Sequence, residues 1–232
     1  MQSTKYSAED EQELMARLWS AQVKDNPYVF VMLMFPWGVK GTPLEHFSGP
    51  RKWQREVLQD IASHIKQNNG KVDFDTLREA VASGRGIGKS ALVSWLVIWM
   101  LTTRIGSTTI VSANSESQLR KVTWAEITKW LAMGLNSHWF EVSATSLQPA
   151  KWLTELVERD LRKGTRYWGV EGRLWSAENP DAFAGVHNMD GVLVIFDEAS
   201  GIDDAIWAVT AGFFTENTPN RFWFAFSHPR RN

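Results

Sequence analysis

Apolar residues along this chain alternate between helical stripes and short continuous runs, the signature of mixed helix and strand. Leu14, Leu18 and Trp19 share one side of a polar stretch and predict an amphipathic helix over residues 8–24. The apolar run 28–35, bounded by Pro27 and Pro36, fits either a helix or a strand, and 36–50 reads as loop. Trp53, Val57, Leu58, Ile61 and Ile65 form a clean helical stripe that Asn68-Asn69-Gly70 ends. Residues 77–82 predict a strand, and 91–101 the longest apolar helix, too short to span a bilayer. Next come a β-branched strand over 108–113 and a helix over 115–131 that Ser115 caps. A strand over 140–146 is followed by a helix marked by Leu153, Leu156, Val157 and Leu161. The pattern closes with a strand at 192–196, a helix at 203–214 and a strand at 222–227. Strands alternating with helices predict an α/β fold, a mainly parallel central sheet flanked by helices.

Chemistry enters at Ser83-Gly84-Arg85-Gly86-Ile87-Gly88-Lys89-Ser90, between the 77–82 strand and the long apolar helix. A polyphosphate is gripped by inward-pointing backbone N–H groups, a helix N-terminus, a lysine and a metal-binding hydroxyl. Glycines let the backbone come close, Lys89 reaches the β- and γ-phosphates, and Ser90 supplies a ligand for Mg²⁺. The usual first glycine of the pattern is Ser83 here, which is acceptable where φ is negative. A glycine-rich turn before a helix is the plainer alternative. The second half of the site is Val192-Leu193-Val194-Ile195-Phe196-Asp197-Glu198. Five apolar residues predict a strand buried on both faces, with two carboxylates at its C-terminal end, where open α/β sheets bind ligands. Asp197 would hold Mg²⁺ through water, and Glu198 would orient or deprotonate the attacking water. The two motifs together predict a P-loop NTPase of the RecA-like (ASCE) type.

Composition narrows the remaining choices. With 232 residues the chain can bury a sizeable core, and its thirteen tryptophans, without repeat period, read mostly as core or interface anchors. A net charge of −1 argues against a static nucleic-acid clamp but allows local DNA contacts. No cysteine excludes disulfides and thiolate metal sites, and the five histidines show no ligand spacing. The polar N-terminus carries no apolar signal core, so the expectation is a soluble protein without membrane contact.

Taken in order, the motifs resemble the ATPase domain of the large terminase subunit, the DNA-packaging motor of tailed bacteriophages. The resemblance spans residues 50 to 230. It rests on Trp53-Gln54-Arg55-Glu56-Val57-Leu58, Arg85-Gly86-Ile87-Gly88-Lys89-Ser90 and Ser112-Ala113-Asn114-Ser115. It continues through Glu178-Asn179-Pro180-Asp181-Ala182-Phe183-Ala184-Gly185-Val186-His187, Phe196-Asp197-Glu198-Ala199 and Phe226-Ser227-His228-Pro229. It implies that Gln54 recognises the adenine edge, that Arg85 senses or stabilises the γ-phosphate, and that Ser227 couples hydrolysis to movement. His228-Pro229 departs from the family's usual Gly/Asn-Pro continuation. A trans-acting arginine finger is implied, with Arg162, Arg166 and Arg173 all eligible.

The resemblance further implies ATP and Mg²⁺ as ligands, and a ring on the procapsid in the host cytoplasm. Double-stranded DNA, the portal protein and the small terminase subunit would be its partners. Residues 1–49 would be an N-terminal helical or lid segment and 50–232 the ATPase core, with the family's C-terminal nuclease domain outside this chain. Two other readings are a helicase-like DNA translocase of another P-loop family, echoed by Gln54 and Asp197-Glu198-Ala199, and a non-catalytic nucleotide-gated scaffold. Glu198 speaks against the scaffold, since a pure binder needs no water-activating carboxylate.

Overall fold

A computed structural model describes residues 6–82, 84, 86 and 88–228. The chain opens with α1 (Ala8–Leu18), α2 (Ala21–Lys24) and α3 (Pro27–Met34). Ser7 caps α1 by accepting from the Asp10 N–H at 3.1 Å, and Asp10 accepts in return from the Ser7 N–H at 2.9 Å. The single helix expected over 8–24 is thus two. The Ser20 hydroxyl turns back to the Arg17 carbonyl at 2.8 Å, and the Trp19 indole is drawn inward to the Thr102 carbonyl at 2.9 Å. The ambiguous run 28–35 is helical because Asn26 caps the Val29 N–H and Pro27 occupies the first turn.

Next come α4 (Lys52–Asn68), β1 (Leu77–Ala82), α5 (Lys89–Thr103) and β2 (Thr108–Ala113). The helix after β2 is not uniform: α6 (Glu116–Gln118) passes through a π-helical turn (Leu119–Trp124) into α7 (Ala125–Met133). In place of one strand over 140–146 there is a hairpin, β3 (Phe140–Val142) and β4 (Ser146–Pro149), antiparallel. Its reversal is held by Ser143 and Ser146, whose hydroxyls lie 2.6 Å apart. After α8 (Lys151–Asp160) comes β5 (Gly169–Gly172), which the apolar pattern does not announce. It is short and has glycine at both ends, so it lacks the side chains that mark a strand in sequence. The chain continues through β6 (Val192–Asp197), α9 (Asp204–Ala211) and β7 (Arg221–Ser227).

Among the described residues seven strands form one sheet in the order β1-β7-β6-β2-β5-β4-β3. From β1 to β5 the pairing is parallel, and the β4 and β3 edge is antiparallel. Alternation along β6 assigns its side chains to two cores. Leu193 and Ile195 join the larger one, and Val192, Val194 and Phe196 the smaller. Helix α5 lies in the larger core, apolar on all sides and buried on all sides. Phe30, Val31 and Met34 of α3 belong to the same cluster. Indole N–H groups stitch these layers together: Trp99 donates to the Lys24 carbonyl and Trp168 to the Leu101 carbonyl, both at 2.8 Å. The tryptophans read as anchors are in large part that: Trp19, Trp37, Trp99, Trp124 and Trp168 give their N–H to backbone carbonyls, Trp130 and Trp139 to carboxylates, while the buried N–H of Trp95 has no such partner.

Candidate active site

Register brings the site together. Ala82 of β1 pairs with Ser227 of β7, and Asp197 of β6 lies between Phe226 on one side and Ala113 on the other. The C-terminal ends of four parallel strands therefore form one edge, and α5 begins beside it, with Lys89 in contact with Ser227. Between β1 and α5, Ser83, Arg85 and Ile87 lie outside the described residues, and nothing is concluded about their expected roles. Gly84 and Gly86 are exposed.

Gly88 caps α5 in the left-handed region at φ 94°. A Cβ there would be strained, and would sit 2.6 Å from the Gln54 amide nitrogen, so glycine is required twice over. Gln54 is only 3% exposed. Its amide N–H donates to the Gly88 carbonyl at 2.8 Å, and its carbonyl accepts from the Arg51 N–H at 2.8 Å. Arg51 reaches the Gly86 carbonyl at 3.4 Å. The start of α4 thus braces the loop from behind, and both ends of the Gln54 amide are engaged with backbone. Adenine recognition, implied for Gln54 by the resemblance, would have to coexist with that bracing.

Lys89, in the first turn of α5, is 9% exposed. Its ammonium donates to the Ser227 carbonyl at 3.0 Å and meets Nδ1 of His228 at 2.7 Å. Ser90 follows in the same turn, half-buried.

Asp197 continues the odd-numbered face of β6 after Leu193 and Ile195, so it points towards the α5 side and is buried, 6% exposed. There the hydroxyl of Thr123 donates to its Oδ2 at 2.5 Å. Burial pushes the Asp197 carboxyl above the ordinary carboxylate range. The Thr123 hydrogen bond opposes that shift, the Glu198 charge adds to it, and Lys89 and Gln118 oppose it. Thr123 lies in the π-helical turn, a feature that recurs at functional sites. No sequence motif pointed to it, because the π-turn shifts the phase of the helix and a lone threonine carries no signature.

Glu198 stands just past the strand with φ 68°, a left-handed conformation that costs a non-glycine residue energy and recurs at functional sites. Its Oε1 accepts from the Ser200 hydroxyl at 2.8 Å and from the His228 N–H at 3.4 Å. Its Oε2 lies 3.1 Å from His228 Nε2. The structure therefore joins Lys89, Asp197, Glu198 and Ser227 in one cluster, with Gln54 behind the loop. It adds Thr123, which no motif named, and the imidazole of His228, which the resemblance marked only as a departure from the family's pattern.

The eligible arginines lie elsewhere. Arg173 pairs with Glu171 at 2.9 Å and donates to the Phe183 carbonyl at 3.1 Å; Arg166 lies over the Tyr167 ring at 5.3 Å; Arg162 has φ 54°. The segment 178–187 is anchored by Phe183, whose ring stacks on Phe196 at 5.9 Å and on Phe213 at 5.6 Å. This gives it a packing role under β6.

No protein-family model matches the chain. Among curated proteins, a probable terminase large subunit of Enterobacteria phage P7 is 29% identical over 141 residues, 59% of this chain and 26% of that protein. The chain thus spans about a quarter of that relative's length. Among solved structures, the large terminase ATPase domain of Thermus phage P74-26 aligns with TM-score 0.47 and 18% identity, covering 73% of this chain and 65% of that one. A large terminase from a thermophilic bacteriophage in complex with ADP aligns with TM-score 0.45 and 13% identity, covering 86% of this chain and 38% of that one. As its motifs imply, the chain is similar in sequence to a phage large terminase subunit.

Proposed function

We propose that this chain is the ATP-hydrolysing part of a viral DNA-packaging motor, driving double-stranded DNA into a procapsid. One observation carries the reading. A lysine at the start of a buried helix, a buried aspartate and a strained glutamate converge at the C-terminal edge of a parallel sheet. Open α/β sheets bind ligands at that edge, and a helix N-terminus there favours a polyphosphate.

Lys89 would leave the Ser227 carbonyl and His228 for the β- and γ-phosphates, a charge-assisted contact in a partly dry site. Ser90 and Asp197 offer a hydroxyl and a carboxylate, the all-oxygen donor set that suits Mg²⁺. Burial of Asp197, which disfavours its charge, fits a carboxylate that gains from a bound cation. When bound, Mg²⁺ would neutralise charge on the phosphate oxygens. Glu198, held in place by Ser200 and His228, would orient the attacking water and take its proton. Arg85 would add positive charge near the γ-phosphate, and Ser227, one strand over, would report the state of the site to the rest of the motor.

A ring on the portal, the small terminase subunit, an arginine from a neighbouring copy and a place in the host cytoplasm belong to the same proposal. Residues 1–49 would act as its lid segment. The deciding experiment is phosphate release from Mg·ATP by the purified chain, with and without double-stranded DNA. Turnover that depends on Mg²⁺ supports the reading. A chain that binds no ATP by calorimetry defeats it.

A further inference from the structure

Within the proposed ATP site one side chain touches both Lys89 and Glu198. His228 follows the last residue of β7. Its Nδ1 lies 2.7 Å from the Lys89 ammonium, and its Nε2 lies 3.1 Å from Glu198 Oε2. The ammonium also lies 3.3 Å from Nε2, so the lysine faces both ring nitrogens; the shorter contact of each nitrogen, Nδ1 to the ammonium and Nε2 to the carboxylate, fits a ring with Nδ1 accepting and Nε2–H donating. The ring thus bridges a cation and an anion that carry opposite roles towards a nucleotide. Its backbone N–H also faces Glu198 Oε1 at 3.4 Å, and the carbonyl of the preceding Ser227 holds the same lysine at 3.0 Å. The end of β7 therefore holds both residues, and Glu198 is fixed in its left-handed conformation from that side.

We propose that His228 is a nucleotide-responsive positioning residue that latches Lys89 to Glu198 in the empty site. It would keep Glu198 in place once a triphosphate has drawn Lys89 away. The inference rests on the ATP-site reading. Its physical basis is exchange of partners. The phosphates offer Lys89 a charge-assisted contact stronger than a neutral imidazole and a carbonyl. The freed Nδ1 then faces the γ-phosphate side of the site, while Nε2–H remains on the carboxylate. A shift in the hydrogen bonding of one ring would tell the end of β7 whether the site is filled.

The consequence is a split between binding and turnover. Removing the latch removes a competitor for Lys89 and also the support of Glu198. His228→Ala should bind a non-hydrolysable ATP analogue with Mg²⁺ as tightly as the parent or up to about threefold more tightly, while single-turnover hydrolysis falls at least about tenfold. His228→Gln, which can still donate to Glu198, should recover much of the rate. In long-range ¹⁵N–¹H spectra of histidine-labelled protein, the signal absent from His228→Gln should show the Nε2–H tautomer without nucleotide and move when the analogue binds.

A His228→Ala rate equal to the parent's would overturn the proposal, as would a parental His228 signal indifferent to the analogue. Affinity and rate falling together, with a matching fall in thermal stability, would reduce His228 to a packing residue and overturn it too. A parent protein that binds no ATP would instead defeat the site reading and this proposal with it, so the two failures are distinguishable.

Discussion

The Thr123 hydroxyl donates to Asp197 Oδ2 across 2.5 Å, joining a π-helical turn on one side of the sheet to the end of β6. Both groups are buried, so the bond is made where water cannot replace it. Thr123→Val keeps the shape and removes the donor, leaving a buried carboxylate oxygen short of a partner at a cost of about 1–3 kcal/mol. The expected result is a lower urea midpoint with unchanged slope, and near-parental stability for Thr123→Ser. Equal midpoints for parent and valine variant would mean that the bond contributes nothing.

Lys89→Ala should abolish phosphate release, by at least about a hundredfold, because the group proposed to meet the developing charge is gone. The fold should survive, since the surrounding helix buries itself through Leu92, Val93 and Leu96 rather than through the lysine. Circular dichroism and a phosphate-release assay on the same preparation check both halves.

Glu198→Gln should bind Mg·ATP as the parent does and hydrolyse it about 10²–10⁴-fold more slowly, since glutamine keeps the shape but takes no proton. Calorimetry set against single-turnover rates measures the split. Affinity lost together with rate would assign Glu198 a structural role.

Gln54→Ala tests whether that amide braces the loop or reads a base. Its hydrogen bond to the Gly88 carbonyl predicts equal weakening towards ATP and GTP, and loss of about 1–3 kcal/mol of stability from the buried groups left behind. Competition between the two nucleotides is the measurement. A selective loss of ATP would transfer Gln54 to adenine recognition.

Glu79 on β1 is raised from 4.5 to about 7, first by burial and then by the nearby charge of Asp60; one of its carboxylate oxygens is buried without a hydrogen bond. The folded chain therefore holds this proton more tightly than the unfolded chain does. Its contribution to stability is fully present below 4.5 and is lost as pH rises towards about 7. Glu79→Gln should melt above the parent at pH 8 and converge with it near pH 4, as thermal scans across that range will show.

Much of this molecule was legible without coordinates. Strands β1, β2, β6 and β7 were expected within a residue or so of their observed bounds, because buried apolar runs bounded by polar turns have few other uses. Lys89, Asp197 and Glu198 stood out because glycine-rich and carboxylate motifs are local and their chemistry fixes their spacing. The break at Trp19, the reversal at Ser143 and strand β5 were not legible, since each depends on partners distant in the chain. Trp19 turns inward for a carbonyl on α5, and β5 exists as a strand because it adds to the edge of β2.

The same division holds in the site. Sequence by itself nominated the groups proposed to grip a phosphate and activate water. Tertiary structure decided what holds them: Gln54 beneath Gly88, Thr123 on Asp197, and His228 between Lys89 and Glu198. Those contacts join residues far apart in the chain through single side chains. No periodicity or motif encodes such a pairing; it arises only when parallel register and helix packing bring the strand ends to one edge.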